Sequence, residues 1–318
     1  MLESGSAAAV AAGSDPGLPL AGVVTPLLTP FEDDGGIARD LWVTHAYWVL
    51  AEGAHALSPF GTTGEAQSVG IAARRQALDW LVEAGMPPAR LVPGTGMCAL
   101  EDAVALSAHA VGLGCGAVMV LPPFFYKGAS DDGLFAFYAR LIERVGDGLR
   151  LVLYHIPSHT GVPVSPGLAR RLAAAFPGVV VGYKDSGGDF AHTEAVIAAA
   201  PTLSVFPGSE AFLVRGMAAG AAGCISATCN VNAAAIRALY EACRAEEAIA
   251  PLEARVVAFR RSMEEAGLIP GMKALLAERL GEPGWGRVLP PLLPPEEGLG
   301  ARLAAAFGDR VAHISRAA

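Results

Sequence analysis

Between residues 22 and 245 the chain repeats one unit eight times: a short, almost continuously apolar run, then a longer Ala/Leu-rich stretch of helical period. The apolar runs lie at 22–25, 54–59, 91–94, 117–121, 149–154, 179–184, 203–206 and 223–226. The helical stretches lie near 39–52, 72–85, 100–113, 131–146, 165–176, 189–199, 209–219 and 231–245. The runs do not alternate apolar with polar, as strands with one wet face would. They read as strands buried on both faces, the condition that crossover helices impose on a parallel sheet. Eight such units predict an α/β fold closed as a TIM (β/α)8 barrel, with a doubly wound open sheet as the structural alternative.

The remainder is read around that barrel. Segments 246–266 and 272–280 have helical pattern, the run Pro290-Pro291-Leu292-Leu293-Pro294-Pro295 breaks it, and a last helix is expected near 296–308. The expected organisation is a disordered leader at 1–18, a barrel at 19–245 and a C-terminal helical region at 246–318 packed on the barrel. The Ala/Gly/Ser-rich leader lacks the basic start of a signal peptide. Hydrophobic residues make up 53% of the chain, enough for one large core, yet no apolar run reaches the roughly 18 residues of a membrane helix. A net charge of −8 without a basic cluster argues against nucleic acid and anionic membrane as partners. Cys98, Cys115, Cys224, Cys229 and Cys243 form no CxxC pair and have no histidine at zinc-ligand spacing. They read as reduced thiols of a cytoplasmic protein, and no metal is expected.

In such a barrel, chemistry sits at the C-terminal ends of strands. Lys184 ends the apolar run Val179-Val180-Val181-Gly182-Tyr183 and is one of only three lysines, with Lys127 and Lys273. Burial penalises an ammonium, and a buried amine is the usual attacker of a carbonyl in Schiff-base chemistry. The structural alternative is a lysine paired with Asp185 or snorkelling from the strand end. The second run ends in Gly61-Thr62-Thr63-Gly64-Glu65, a compact loop whose amides and hydroxyls can bind a small carboxylate; alternatively it is a turn capping the next helix. Tyr154 ends the fifth run, next to that of Lys184. Imine formation needs protons delivered and removed, which a phenol on a hydroxyl chain can do; otherwise Tyr154 is a packed core ring.

Together GTTGE, Tyr154-His155-Ile156-Pro157-Ser158-His159-Thr160-Gly161 (YxxPxxTG) and the strand-end Tyr183-Lys184-Asp185 resemble the dihydrodipicolinate synthase / N-acetylneuraminate lyase family over roughly residues 20–290. The resemblance implies a barrel with C-terminal helices, a homo-oligomer (tetramer or dimer), and a lysine imine with pyruvate or a 2-oxo acid in place of any cofactor. It implies Lys184 as the Schiff-base lysine, Tyr154 as the acid/base tyrosine, and Thr62 in the proton relay. Thr62 and Thr63 then bind the pyruvate carboxylate, with Thr63 also joining the relay; Gly61 is a further substrate-binding position, and Gly208 and Ile225 line the pocket.

Two departures bear on the second substrate. Lysine-pathway synthases carry a second relay tyrosine in a Pro-Tyr-Tyr-Asn type segment. Here the segment is Pro123-Phe124-Phe125-Tyr126-Lys127, with Phe125 at the relay position and Tyr126 as the nearest hydroxyl. The arginine that holds the aldehyde's carboxylate is replaced by His159, a weaker and non-bidentate partner. The expectation is a pyruvate-type Schiff-base lyase that uses aspartate semialdehyde poorly. The alternatives are 4-hydroxy-tetrahydrodipicolinate synthase itself and a non-catalytic 2-oxo-acid-binding regulator. Of the remaining motifs, Gly94-Thr95-Gly96 reads as a tight turn at a subunit contact. His155 reads as a structural hydrogen-bonder, and Glu65 as a carboxylate bonded within its own loop.

Overall fold

The computed structural model describes residues 20–245 and 249–307; the expected leader at 1–18 lies outside them. Seven of the eight apolar runs form parallel strands, Gly22–Thr25, Ala56–Leu57, Val118–Val120, Leu151–His155, Val180–Asp185, Ser204–Pro207 and Gly223–Ile225. Strand Gly22–Thr25 pairs with Ala56–Leu57 on one side and Gly223–Ile225 on the other. The four strands from Val118–Val120 to Ser204–Pro207 form one ladder in chain order. The Ala222 N–H donates to Val205 O at 2.9 Å and joins the two sheets on one side.

The third run stands in its expected place but makes only two parallel bridges, Leu57↔Leu91 and Gly94↔Met119. Pro93 has no N–H to continue a ladder. A Cβ on Gly94 would stand 2.1 Å from Phe60 O, and one on Gly96 2.3 Å from the Leu121 nitrogen. Thr95 between them is buried and accepts a hydrogen bond from Ser107 Oγ at 2.8 Å. The expected turn at a subunit contact is therefore a close approach inside the barrel wall. With the bridges counted, eight staves and their crossover helices make a TIM (β/α)8 barrel with additional C-terminal helices.

Helix starts follow local capping chemistry. Ser130, Ser165 and Asp189 cap Asp131–Val145, Pro166–Ala175 and Phe190–Ala199, accepting from the N–H groups of Gly133, Leu168 and Ala191 at 3.2, 2.9 and 3.0 Å. Each such cap stabilises its helix by about 1 kcal/mol.

After the barrel come helices Ala250–Glu265, Leu268–Leu280 and Leu299–Phe307. The second begins four residues before the expected 272. Pro270 falls in its first turn, where no N–H is needed. Met263, Met272, Leu275 and Leu276 from these helices pack with Leu28, Ala227 and Val231, which follow the first and last strands. That cluster lays the C-terminal helices against the end of the barrel where the chemistry-bearing loops emerge. A buried ion pair pins them there: Lys273 Nζ donates to Glu65 Oε1 and, at 2.6 Å, to Arg287 O, while the Leu289 N–H donates to Glu65 Oε2 at 2.8 Å. Glu65 is thus bonded outside its loop, not within it. Removing either partner alone would strand a buried charge, a cost of about 3–5 kcal/mol.

Candidate active site

Side-chain alternation sorts the strand ends into two environments. On Leu151–His155, Leu151 and Leu153 face the helical layer, while Val152 and Tyr154 face the barrel interior with Val92, Ala117 and Met119. Its neighbour Val180–Asp185 pairs Leu151 with Val180 but Val152 with Gly182, so one extra residue enters at Val181. The irregularity sets Tyr154 opposite Lys184; unbroken register would have set it opposite Tyr183. Bulges beside functional sites re-aim side chains in this way.

Lys184 is 3% exposed and its Nζ stands 4.2 Å from the centroid of the Tyr154 ring. Among the described residues no hydrogen-bond or ion-pair partner reaches that nitrogen. Asp185 faces the other side, accepting from the Gly187 N–H at 2.9 Å and from Thr193 Oγ1 at 2.7 Å. The alternative of a Lys184–Asp185 pair is therefore not what the fold builds.

Tyr154 is 2% exposed and its hydroxyl shares a hydrogen bond of 3.1 Å with Thr62 Oγ1. The loop from Gly61 to Gly64 that supplies Thr62 is held at both ends by left-handed residues, Phe60 at φ 59° and Glu65 at φ 56°. Such non-glycine conformations cluster at ligand-binding loops. The loop does not cap the following helix, because the cap of Ile71–Glu83 is Gly70 and no side chain bonds there.

Lys184, Tyr154, Thr62, Thr63, Gly208 and Ile225 line one cavity of about 820 Å³. A smaller one of about 300 Å³ shares Thr62 and Tyr154 and adds Gly61 and Phe124. A Cβ on Gly208 would stand 2.1 Å from Ser186 Oγ and 2.9 Å from Asp185 O, so only glycine fits there. His159 lines both cavities from an exposed position, its Nδ1 3.0 Å from Ser158 Oγ.

Tyr126 is the one expected site residue that does not join them. It is 76% exposed, packed edge-on against Phe125 (73% exposed), and lines neither cavity. The next residue, Lys127, is tied back to the chain, its Nζ donating to Phe124 O and Thr160 O, both at 2.7 Å.

The motif reading missed a buried polar wall. Glu210 is fully buried and accepts from the hydroxyls of Ser226 and Thr228 and, at 3.3 Å, from Arg260 Nη1. Arg260 comes from helix Ala250–Glu265 and lines the larger cavity with Glu264. The strand-end hydroxyls were visible in the sequence, but nothing there tied them to an arginine more than thirty residues on.

His155 has the expected structural role, accepting from the Val164 N–H at 3.0 Å. Burial pushes its imidazole down to about 4, helped by neighbouring His192 and opposed by Asp185. Burial pushes His45 down to about 4 against its hydrogen bond to Asn230, and pushes His55 to about 4 as well, with Arg237 acting in the same direction. Between pH 6.5 and 4 the unfolded chain then binds more protons than the folded one, so stability falls as pH falls through that window. For His45 the loss reaches about 2 kcal/mol by pH 5. The urea midpoint should be lower at pH 5 than at pH 7; an equal or higher midpoint would contradict these neutral histidines.

The sequence model of the dihydrodipicolinate synthetase family matches residues 19–307. An uncharacterized DapA-like lyase of Chloroflexus aurantiacus is 34% identical over 293 residues, 90% of this chain and 95% of that protein. The crystal structure of dihydrodipicolinate synthase from Agrobacterium tumefaciens superposes with a TM-score of 0.83 at 34% identity, over 91% of this chain and 98% of the other. The chloride-inhibited dihydrodipicolinate synthase of Acinetobacter baumannii, solved in complex with pyruvate, superposes with a TM-score of 0.81 at 26% identity, over 91% and 98%. With a match that runs from the first strand to the last described helix, the chain belongs to the dihydrodipicolinate synthetase family.

Proposed function

We propose that the protein is a lyase that forms a Schiff base between Lys184 and pyruvate, or the pyruvate half of a 2-oxo acid, and makes or breaks a carbon–carbon bond. The observation that carries this is the buried Lys184 side chain, whose amine has no hydrogen-bond or ion-pair partner among the described residues, lines the larger cavity and stands 4.2 Å from a tyrosine ring whose hydroxyl continues to Thr62. The amine attacks the 2-oxo carbon, and the carbinolamine loses water as Tyr154 passes the protons. The iminium draws electrons from the methyl carbon, which gives up a proton to form an enamine. The enamine adds to an aldehyde carbonyl, and hydrolysis frees the product and restores the amine; cleavage runs the same steps backwards. Thr63 and the Gly61 loop hold the carboxylate, with Gly208 and Ile225 as pocket walls and His159 at the mouth. The imine is the electron sink, so no resident cofactor or metal is assigned.

The assembly we assign is a homo-oligomer, tetramer or dimer; its support is the exposed Phe125–Tyr126 pair, an apolar surface of the kind subunits cover. A cytoplasmic site fits five free thiols. Two other readings have a claim. Identity of 34% to the Agrobacterium enzyme favours the synthase reaction with aspartate semialdehyde, and a pyruvate-binding regulator would keep the cavity without the chemistry.

Pyruvate alone in heavy water tests the enamine step. The methyl protons should exchange with solvent deuterium in the presence of the protein, seen as loss of the methyl signal by NMR. Binding without exchange would make the protein a regulator.

A further inference from the structure

Resting on the Schiff-base reading above, we propose that Arg260 and Glu264, one turn apart on Ala250–Glu265, form the subsite that selects the aldehyde, and that they favour an uncharged hydroxylated aldehyde over one bearing a carboxylate. Both residues line the cavity that holds Lys184. Arg260 Nε donates to Glu264 Oε1 at 2.6 Å, and Nη1 donates to Ser226 Oγ at 3.0 Å and to Glu210 Oε2 at 3.3 Å. The Glu210 carboxylate is spent inside the wall on Ser226, Thr228 and Arg260. Among the described residues, Arg260 Nη2 and Glu264 Oε2 have no partner. The pair therefore carries a free donor beside a free acceptor, which is the set that neighbouring hydroxyls can satisfy, since each hydroxyl both donates and accepts.

Charge decides against an acid. On this wall two carboxylates, Glu210 and Glu264, stand against the one guanidinium, and the cavity's other cation, Lys184, is the amine taken up in the imine. An aldehyde carboxylate placed against Arg260 would meet Glu264 within contact distance, and like charges across a binding surface are strongly unfavourable. The nearby Ser186 and Ser209 add further hydroxyls, while Leu268 and Ile269 add apolar surface and no cation.

The test compares kcat/KM for glyceraldehyde and for aspartate semialdehyde, each with saturating pyruvate, in the wild type and in Glu264→Gln. The amide keeps the size of the side chain and removes the charge. Wild type should favour glyceraldehyde, and Glu264→Gln should move the ratio toward the acid by about tenfold or more. Glu264 is half exposed (50%), so the fold should tolerate the change; Glu264→Ala provides a second variant that should move the ratio the same way. An unchanged ratio in both variants, or a wild type that prefers aspartate semialdehyde, overturns the subsite. Methyl-proton exchange of pyruvate by the wild type separates the two levels. Without exchange the Schiff-base reading falls and the subsite with it; with exchange and an unmoved ratio, only the subsite falls.

Discussion

Borohydride added with pyruvate should leave one covalent adduct on Lys184, visible after digestion as a peptide heavier by one pyruvate less one oxygen atom. Lys184→Ala should then give no adduct and lose turnover by on the order of 10⁴- to 10⁶-fold, the scale on which removal of a covalent nucleophile is felt. The three lysines differ enough in surroundings for the experiment to discriminate. Lys127 is committed to Phe124 O and Thr160 O. Burial pushes Lys273 down to about 8 against the pull of Glu65. Yet its Nζ is sealed against Glu65 and Arg287 O, and the residue lines neither cavity around Tyr154. Lys184 alone of the three combines burial, an unpartnered nitrogen and an adjoining cavity. The alanine variant should keep its circular dichroism spectrum, because no hydrogen bond or ion pair among the described residues is lost. An adduct on Lys127 or Lys273, or one that persists in Lys184→Ala, would refute the mechanism.

How much of this site was legible in the sequence follows from the range over which each feature is determined. The strand positions were readable because burial on both faces writes itself into consecutive residues, and the adjacency of Tyr154 and Lys184 followed from barrel order. Their direct opposition did not, because it depends on one extra residue at Val181 that no local pattern reveals. The division between Lys184 facing in and Asp185 facing out is the two-residue strand period and could have been drawn beforehand. Tyr126 lies outside both cavities of the single chain, and nothing in the sequence signalled this, because the direction of an exposed ring is not written in local periodicity. The Glu210–Arg260 contact and the Glu65–Lys273 pair join positions 50 and 208 residues apart. Such pairs carry no local periodicity, although a lysine inside an apolar helical stretch, as Lys273 is, already signals a hidden partner, since lysines are almost never fully buried unpaired.

Tyr154→Phe should lower kcat by about 10²- to 10⁴-fold while leaving the KM for pyruvate nearly unchanged. The substitution keeps the ring beneath Lys184 Nζ and removes only the hydroxyl bonded to Thr62 at 3.1 Å. Packing is conserved, and the lost hydrogen bond costs stability only about 1 kcal/mol, since Thr62 lies beside a cavity where water can replace the phenol. A fall in rate of the predicted size is equivalent to about 3–5 kcal/mol of barrier, more than the structural loss can explain. The rate should fall both in pyruvate proton exchange and in aldehyde addition, because both pass through the imine whose protons the phenol handles. Trapping by borohydride should still label Lys184, more slowly, since the amine itself is intact. Thr62→Val tests the next link: it removes the hydroxyl partner but leaves the phenol, and should cost less than Tyr154→Phe. Turnover near the wild-type rate in Tyr154→Phe would make Tyr154 a packing residue and move the proton chemistry elsewhere in the cavity.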